Sequence, residues 1–178
     1  MIFNMKKIIV ISGKQFSGKD TFAKMLLKKL EGFSRIGIGD AIKLEYGQLK
    51  GLSFDEIEKN KSLYRADLIE LGNKGRAISP HYWLQKIIDM DEGRIVPDIR
   101  LKEEMEIFKK AGAIAIRVEA STLSRSKRGF LVNENDKTET DLDDYMSWDF
   151  VVQNNGTESD LKQALELIYP EIKRALGL

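Results

Sequence analysis

The chain has 178 residues, of which 42% are hydrophobic and 32% are charged, and this balance excludes a disordered or fibrous protein. Its 29 Lys and Arg residues nearly cancel its 28 Asp and Glu residues, so no overall positive field favours binding to a nucleic-acid polymer. Zero cysteines and a single histidine exclude disulfides and any metal centre built on thiolates or on a histidine cluster.

A buried strand is predicted over 6–12, where the residues are almost continuously apolar and rich in β-branched side chains. This apolar run is too short to be the core of a signal peptide. No later run approaches the roughly 18–20 apolar residues that span a membrane. We therefore expect a cytoplasmic protein without a membrane partner, folded as a single domain over 1–178.

The glycine-rich segment 13–21, GKQFSGKDT, follows this strand and matches the phosphate-loop pattern G-x-x-x-x-G-K. Backbone N–H groups of such a loop surround the phosphates of a nucleotide, and its lysine neutralises the β- and γ-phosphates. We expect ATP to bind here, with Lys19 as a catalytic residue. The expected ATP-binding residues of the loop are Gly13, Lys14, Phe16, Ser17, Gly18, Lys19, Asp20 and Thr21.

Asp20 departs from the usual pattern, which has Ser or Thr at this position. Its carboxylate could bind magnesium directly or through water, although its negative charge could also repel phosphate. The alternative is an aspartate that only helps to start the following helix.

That helix is predicted over 19–31 with a stop at Gly32, and a second strand is predicted over 33–38. Apolar residues recur in the helix at helical spacing, at Phe22, Ala23, Leu26, Leu27 and Leu30. A long helical insert over about 40–91 follows. Breaks are predicted within it near Gly51, near Gly72 and at Ser79-Pro80. We expect this insert to bind the second substrate, named the acceptor below because it would accept a phosphoryl group from ATP.

Asp40 lies at the start of the insert, directly after the second predicted strand. It could accept a proton from the attacking group or position the acceptor. A helix N-cap is the alternative, because aspartate is favoured at that position.

A third strand is predicted over 94–97 and is followed by Asp98, at the edge where parallel α/β sheets gather their ligands. An apolar strand that ends in a carboxylate is typical of the second signature of phosphate-loop proteins. Asp98 would hold the magnesium shell, and Arg100 would face the phosphates. The alternative is an aspartate in a surface turn.

A helix over 101–111 and a fourth strand over 113–118 continue the alternation of strands and helices. The polar segment 121–145 has no periodicity, and we interpret it as a mobile lid, named the lid segment below. Within it, Arg125 and Arg128 are three residues apart, so on a helical turn they would point toward one ligand. We expect them to deliver positive charge to the transferring phosphoryl group.

A fifth strand over 150–153 and a helix over 157–176 complete the pattern. The apolar face of the helix consists of Leu161, Ala164, Leu165, Ile168, Ile172 and Ala175. The expected fold class is α/β, a three-layer phosphate-loop kinase fold with a central, mainly parallel five-stranded sheet and a lid segment.

Six segments resemble, in order, the bacteriophage and bacterial deoxynucleoside monophosphate kinases and also the animal-type phosphomevalonate kinases. These are GKQFSGKDT, GDAIK, YRADLIELGNKGR, HYW, VPDIRLKEE and DFVVQNNGT, and the similarity covers 6 to about 161. Both families share the GKD variant of the loop, which implies that Asp20 is a family feature. The helix YRADLIELGNKGR and the following Trp83 look closer to the deoxynucleotide enzymes, whereas LSRSKRGF is similar to the lid of the phosphomevalonate kinases.

The resemblance implies an acceptor that already carries a phosphate, and the planar fork of arginine suits such a group. The acceptor-binding residues that we expect are Asp40, Lys43, Arg65, Arg76 and Trp83. For the two arginines the alternative is a solvated surface charge, and for Trp83 it is a place in the core. The resemblance also implies contacts to adenine at Asn155 and Gly156.

We therefore expect an ATP-dependent phosphotransferase that moves the γ-phosphoryl group to a small phosphorylated acceptor, with Asp20 and Asp98 as magnesium ligands. A deoxynucleoside monophosphate is the favoured acceptor, and phosphomevalonate is the alternative. A regulatory module that only binds ATP would need the phosphate loop and Asp98 alone, so the lid segment and the acceptor arginines argue against it. A monomer and a homodimer both stay open.

Overall fold

The computed structural model describes residues 7–178, which divide into two compact units. One unit contains residues 7–35 together with Asp91–Leu178, and the other is Ile36–Met90. The first predicted strand, 6–12, begins outside the described residues. Within residues 7–178, no helix combines the length and the apolar character that crossing a membrane requires.

The first unit is built on a parallel five-stranded sheet, which confirms the predicted fold class. Its strands are β1 (Ile8–Ser12), β2 (Phe33–Arg35), β3 (Gly93–Val96), β4 (Ile114–Glu119) and β5 (Phe150–Gln153). They lie in the order β2-β3-β1-β4-β5. Because every strand runs the same way, the segments that follow β1, β3, β4 and β5 all leave from one edge of the sheet.

The helices of the described residues occur in both units. They are α1 (Lys19–Leu27), α2 (Ile38–Lys50), α3 (Phe54–Lys59), α4 (Lys61–Ile78), α5 (Tyr82–Ile88), α6 (Lys102–Lys110), α7 (Thr122–Arg128), α8 (Lys137–Thr140) and α9 (Glu158–Ala175).

The core of the first unit lies against both faces of the sheet. Ile9 and Ile11 of β1 pack in one cluster with apolar residues of α1 and α9, including Phe22 and Leu165. Alternate residues of a strand point to opposite faces, and α6, with its fully buried Met105 and Phe108, packs against β1 and β4. Burial on both faces explains why the sequence of β1 is continuously apolar.

Two predicted boundaries are wrong by several residues. The strand predicted over 33–38 ends at Arg35, because Gly37 caps α2 and its N–H donates to the Asp40 carboxylate at 2.8 Å. The helix predicted over 19–31 ends at Leu27. Beyond its end, the Lys29 carbonyl oxygen accepts a hydrogen bond from the Tyr169 hydroxyl at 2.6 Å.

Gly72 does not break a helix, contrary to the prediction, because it lies inside α4. Its carbonyl oxygen accepts a hydrogen bond from the indole N–H of Trp83 at 3.0 Å. One turn further, a Cβ at Gly75 would stand 2.6 Å from the same indole ring. These glycines therefore allow Trp83 to pack closely against α4. The helical insert is instead interrupted at Asn60, between α3 and α4, where the sequence predicted no break.

The lid segment contains regular structure that the sequence did not predict. Helix α7 is capped by the Ser121 hydroxyl, and α8 is capped by the Asp136 carboxylate. With 7 and 4 residues, these helices are too short to produce a helical period in the sequence.

Candidate active site

The loop between β1 and α1 is closely packed around its two motif glycines. A Cβ at Gly13 would stand 2.3 Å from the Ser17 hydroxyl oxygen and 2.5 Å from the Val118 carbonyl oxygen. Gly18 caps α1 with a φ of +96°, in the left-handed region, and Phe16 also has a positive φ of 57°. The glycine spacing of the motif is thus required by the geometry of the loop.

The polar groups of the loop fit an anionic phosphate. The Ser17 hydroxyl is buried and has no hydrogen-bond partner among residues 7–178. The Lys19 side chain is also buried, and its Nζ lies 3.4 Å from an oxygen of Asp20. A buried hydroxyl without a partner and a buried ammonium, at the N-terminus of a nine-residue helix, are what a phosphate oxygen would satisfy.

Asp20 extends toward solvent and is balanced by cations. Its carboxylate lies 3.2 Å from Arg35 Nη2 in addition to its contact with Lys19, so its negative charge is offset beside the loop. Thr21 follows it in α1 and is half-buried.

Asp98 is half-buried just beyond β3 and lies close to Glu104. Burial raises the pKa of Glu104, and the negative charge of Asp98 adds to the shift. Within the described residues, no three or more His, Asp or Glu side chains cluster in a way that could hold a metal ion. A magnesium ion would therefore rely on one or two carboxylates together with water and phosphate oxygens, and the role of Asp20 and Asp98 as ligands stays a prediction.

Arg100 lies between two carboxylates. Its backbone N–H donates to Glu104 at 3.0 Å, and its guanidinium Nη1 donates to Glu139. The Glu139 carboxylate also accepts the backbone N–H of Gln15 at 2.9 Å, so it joins Arg100 to the phosphate loop. The sequence placed Arg100 near the phosphates but gave no role to Glu139 or Gln15.

The two lid arginines both face the phosphate loop, but each has its own partners. Arg125 is buried and forms an ion pair with Glu134 at 2.7 Å. Arg128 donates to four backbone carbonyl oxygens, at Phe16 (3.2 Å), Ser17 (3.4 Å), Asn154 (2.7 Å) and Gly156 (3.1 Å). We expected both arginines to point toward one ligand, whereas in the structure they bond different groups of the protein. Their role in phosphoryl transfer stays a prediction.

The loop after β5 is tied to the phosphate loop by Asn154, which the sequence did not single out. The Asn154 amide donates to the Ser17 carbonyl oxygen at 2.7 Å, and the residue is buried. Its neighbour Asn155 accepts the Ser121 N–H at 2.7 Å. The adenine contacts expected at Asn155 and Gly156 stay predictions.

A cavity of about 390 Å³ opens beside the phosphate loop. Arg117 of β4 lines it and is buried, and burial lowers the pKa of its guanidinium. Arg117 donates to the Ser12 hydroxyl at 3.2 Å and lies 3.5 Å from the Asp143 carboxylate. Lys14 bonds the same carboxylate at 2.7 Å, so Asp143 neutralises two cations that the sequence pattern did not connect.

In the unit Ile36–Met90, Lys43 is held by two carboxylates. Its ammonium lies 2.9 Å from Asp40 and also forms an ion pair with Glu58. Burial by itself would lower the pKa of Lys43, but the bonds to Glu58 and Asp40 outweigh it, so the pKa is raised. Asp40 is not the N-cap of α2, because Gly37 holds that position, but its carboxylate accepts the Gly37 N–H and so stabilises the start of the helix; its catalytic role stays a prediction.

The other expected acceptor residues of this unit differ in exposure. Arg65 and Arg76 are exposed on α4, and Arg76 donates to the Asn73 side chain at 2.9 Å. Trp83 is buried, with 2% of its surface exposed. Its indole packs against Gly75 and donates to the Gly72 carbonyl oxygen, which fits the alternative of a place in the core, and the expectation that it binds the acceptor stays a prediction.

A phosphate loop at the end of the central strand, in a parallel sheet of order β2-β3-β1-β4-β5, is the arrangement of a P-loop nucleotide-binding protein. The chain belongs to the phosphomevalonate kinase family, whose model matches residues 11–113. It is therefore an ATP-dependent kinase.

The chain is also similar to individual proteins, one of which is named a phosphomevalonate kinase. The phosphomevalonate kinase of Drosophila melanogaster is 27% identical, over 95% of this chain and 98% of that protein. An uncharacterized protein, ORF76, of Ictalurid herpesvirus 1 (strain Auburn) is 26% identical, over 90% of this chain and 66% of that protein.

Two solved structures share the fold at low sequence identity. The shikimate kinase of Aquifex aeolicus vf5 has a TM-score of 0.51 at 17% identity, covering 96% of this chain and 99% of that one. TT1252 of Thermus thermophilus has a TM-score of 0.51 at 19% identity, covering 93% of this chain and 97% of that one.

Proposed function

We propose that this chain transfers the γ-phosphoryl group of ATP to phosphomevalonate, with magnesium as the metal. The observation that carries the proposal is the family match over residues 11–113, which includes the phosphate loop, the whole unit Ile36–Met90 and Asp98. The preference for a deoxynucleoside monophosphate is not retained, because the family model and the Drosophila relative both bear the name of the alternative.

The phosphate loop supplies the groups for the donor side. The buried Lys19 ammonium and the backbone N–H groups at the start of α1 would bind the β- and γ-phosphates. Bound magnesium neutralises charge on these phosphates. Asp98, two residues after the end of β3, and Asp20 would hold it, in keeping with the preference of magnesium for carboxylate and water oxygens.

The acceptor needs cations but no strong base. A phosphate monoester has its second pKa near 6, so most of it is a dianion at neutral pH and its oxygen is already nucleophilic. That oxygen forms the new bond to the γ-phosphorus while the bond to the β,γ-bridging oxygen breaks, which leaves ADP and a diphosphate product. The two oxygens of Asp40 accept hydrogen bonds from the Gly37 N–H and the Lys43 ammonium, so Asp40 positions these groups and is not needed as a general base.

Arg65 and Arg76 are the better candidates for acceptor binding in the unit Ile36–Met90. Phosphomevalonate carries a phosphate and a carboxylate, and a guanidinium binds either group through two parallel hydrogen bonds. Both arginines are exposed, whereas the charge of Lys43 is already matched by two carboxylates.

Product analysis tests the proposal directly. The protein is incubated with magnesium, phosphomevalonate and ATP labelled at the γ-phosphorus, and the products are separated. The proposal predicts label in a diphosphate ester, formed on the order of 100- to 1000-fold more slowly when Lys19→Met replaces the wild type. Label that appears only as inorganic phosphate would show an ATPase and would reject phosphomevalonate as the acceptor.

A further inference from the structure

A buried carboxylate of the lid segment lies between the phosphate loop and Arg100. The Glu139 side chain is 4% exposed, although it follows seven exposed residues, 132–138, in a polar segment. One of its oxygens accepts the Gln15 N–H at 2.9 Å, and the other accepts a guanidinium N–H of Arg100. A carboxylate is rarely buried without such partners, and charge-assisted bonds of this kind are the strong ones.

The surroundings of Glu139 fix its position. The Asp141 carboxylate accepts the backbone N–H of Lys102, at the start of α6, at 2.8 Å. The Gln15 side chain exchanges two hydrogen bonds with the backbone of Val132, at 2.6 and 3.3 Å. The lid segment is thus attached on both sides of Glu139, to the helix that follows Arg100 and to the phosphate loop.

Arg100 is anchored at one end and available at the other. Its Nη1 bonds Glu139, and its Nε and Nη2 form no hydrogen bond with another residue of the described chain. The side chain is 35% exposed, so these remaining N–H groups can reach a ligand. A guanidinium held in this way keeps one orientation, which a phosphoryl-transfer site requires because its catalysis is mostly positioning and charge neutralisation.

We propose that Glu139 is a positioning residue that holds the Arg100 guanidinium against the phosphate loop for phosphoryl transfer. This inference rests on the proposed function. The N–H of Gln15 donates its hydrogen bond to Glu139 and not to phosphate. The nucleotide is bound by the N–H groups at the start of α1. Replacement of Glu139 should therefore slow transfer without weakening ATP binding.

The test is Glu139→Gln, which keeps the size of the side chain and removes its charge. We expect kcat to fall on the order of 10- to 100-fold, as for a misplaced catalytic group, while the KM for ATP stays within about twofold. The matched control is Asp144→Asn, which removes one charge from the same segment at an exposed side chain and should keep the wild-type kcat. If Glu139→Gln does not fold, Glu139→Asp, shorter by one methylene, takes its place.

A double-mutant cycle separates positioning from general stability. If Glu139 acts through Arg100, Glu139→Gln has little further effect on kcat in the Arg100→Ala background. Fully additive losses, together with a lowered Tm, would show a structural role only. A lower KM for ATP in Glu139→Gln, at unchanged kcat, would show that Glu139 competes with the nucleotide, and would also overturn the proposal.

A readout without any acceptor distinguishes this inference from the proposed function. Phenylglyoxal modifies accessible arginines, and mass spectrometry measures its rate at Arg100 in the ligand-free protein. Glu139→Gln should raise that rate several-fold over the wild type and over Asp144→Asn. If phosphomevalonate is not turned over but labelling rises, the acceptor is wrong and the positioning role stands. An unchanged labelling rate rejects the positioning role even when phosphomevalonate is the acceptor.

Discussion

Arg128 and Asn154 connect the lid segment to the loop after β5 through a hydrogen bond of 2.7 Å, from the guanidinium Nη2 to the backbone carbonyl oxygen. The amide of the same asparagine donates to the Ser17 carbonyl oxygen at 2.7 Å. Three segments that leave the same edge of the sheet are therefore held together at the phosphate loop.

Arg128→Lys tests this connection. Lysine keeps the charge, but one ammonium cannot reproduce bonds to four carbonyl oxygens. We expect the free energy of unfolding to fall by about 1.5–3 kcal/mol, the usual range for hydrogen bonds to a charged group, and the KM for ATP to rise. Denaturant unfolding and initial rates measure the two quantities. A lower kcat with both unchanged would instead support the charge-delivering role expected from the sequence.

Gly13→Ala should abolish ATP binding. The new methyl carbon would lie 2.5 Å from a backbone carbonyl oxygen, which cannot move aside as a flexible side chain can. Isothermal titration with ATP measures the loss. The control is Gly39→Ala, where a Cβ meets nothing within 4 Å, and equal affinities for both variants would contradict the described loop.

Lys19→Met should lower kcat on the order of 100- to 1000-fold, the usual effect of removing one group that stabilises transition-state charge. Stability should change little, because among residues 7–178 the ammonium pairs only with Asp20, whose side chain is 55% exposed. Thermal unfolding and single-turnover rates on the same preparation separate the effects. A variant that folds and keeps the wild-type rate would reject the phosphate loop as the catalytic site.

Asp98→Asn should raise the magnesium concentration needed for half-maximal rate, because an amide replaces a charged oxygen ligand. The measurement is a magnesium titration at saturating ATP. The matched control is Asp91→Asn, an exposed carboxylate just before β3. An unshifted titration curve for Asp98→Asn would place the metal elsewhere.

The sheet and the phosphate loop were predictable because each leaves a local pattern in the sequence. Burial on both faces makes β1 continuously apolar, and the contacts of Gly13 and Gly18 require the motif spacing. Segment boundaries were less predictable, as at Arg35, because a cap depends on hydrogen bonds and not on hydrophobicity.

The polar contacts of the site could not be predicted from local patterns. Gln15 and Glu139 meet across 124 residues of sequence, and Ser12 and Arg117 across 105. Neither pair has a period or a motif that marks it, since only the folded sheet brings the partners to one edge. Trp83 shows that a local pattern can also mislead, because this aromatic residue lies in a segment that resembles a substrate site and yet is buried.

The acceptor is tested most directly by comparing kcat/KM for phosphomevalonate with kcat/KM for each deoxynucleoside monophosphate, using ATP and magnesium at fixed concentrations. A group that pairs with the carboxylate of phosphomevalonate has no partner when a nucleotide binds, and discrimination of up to about 10⁴-fold is attainable where the bound acceptor buries such a group. We predict that phosphomevalonate exceeds every nucleotide by at least about 100-fold. A deoxynucleoside monophosphate turned over as efficiently as phosphomevalonate, or more so, would contradict the account.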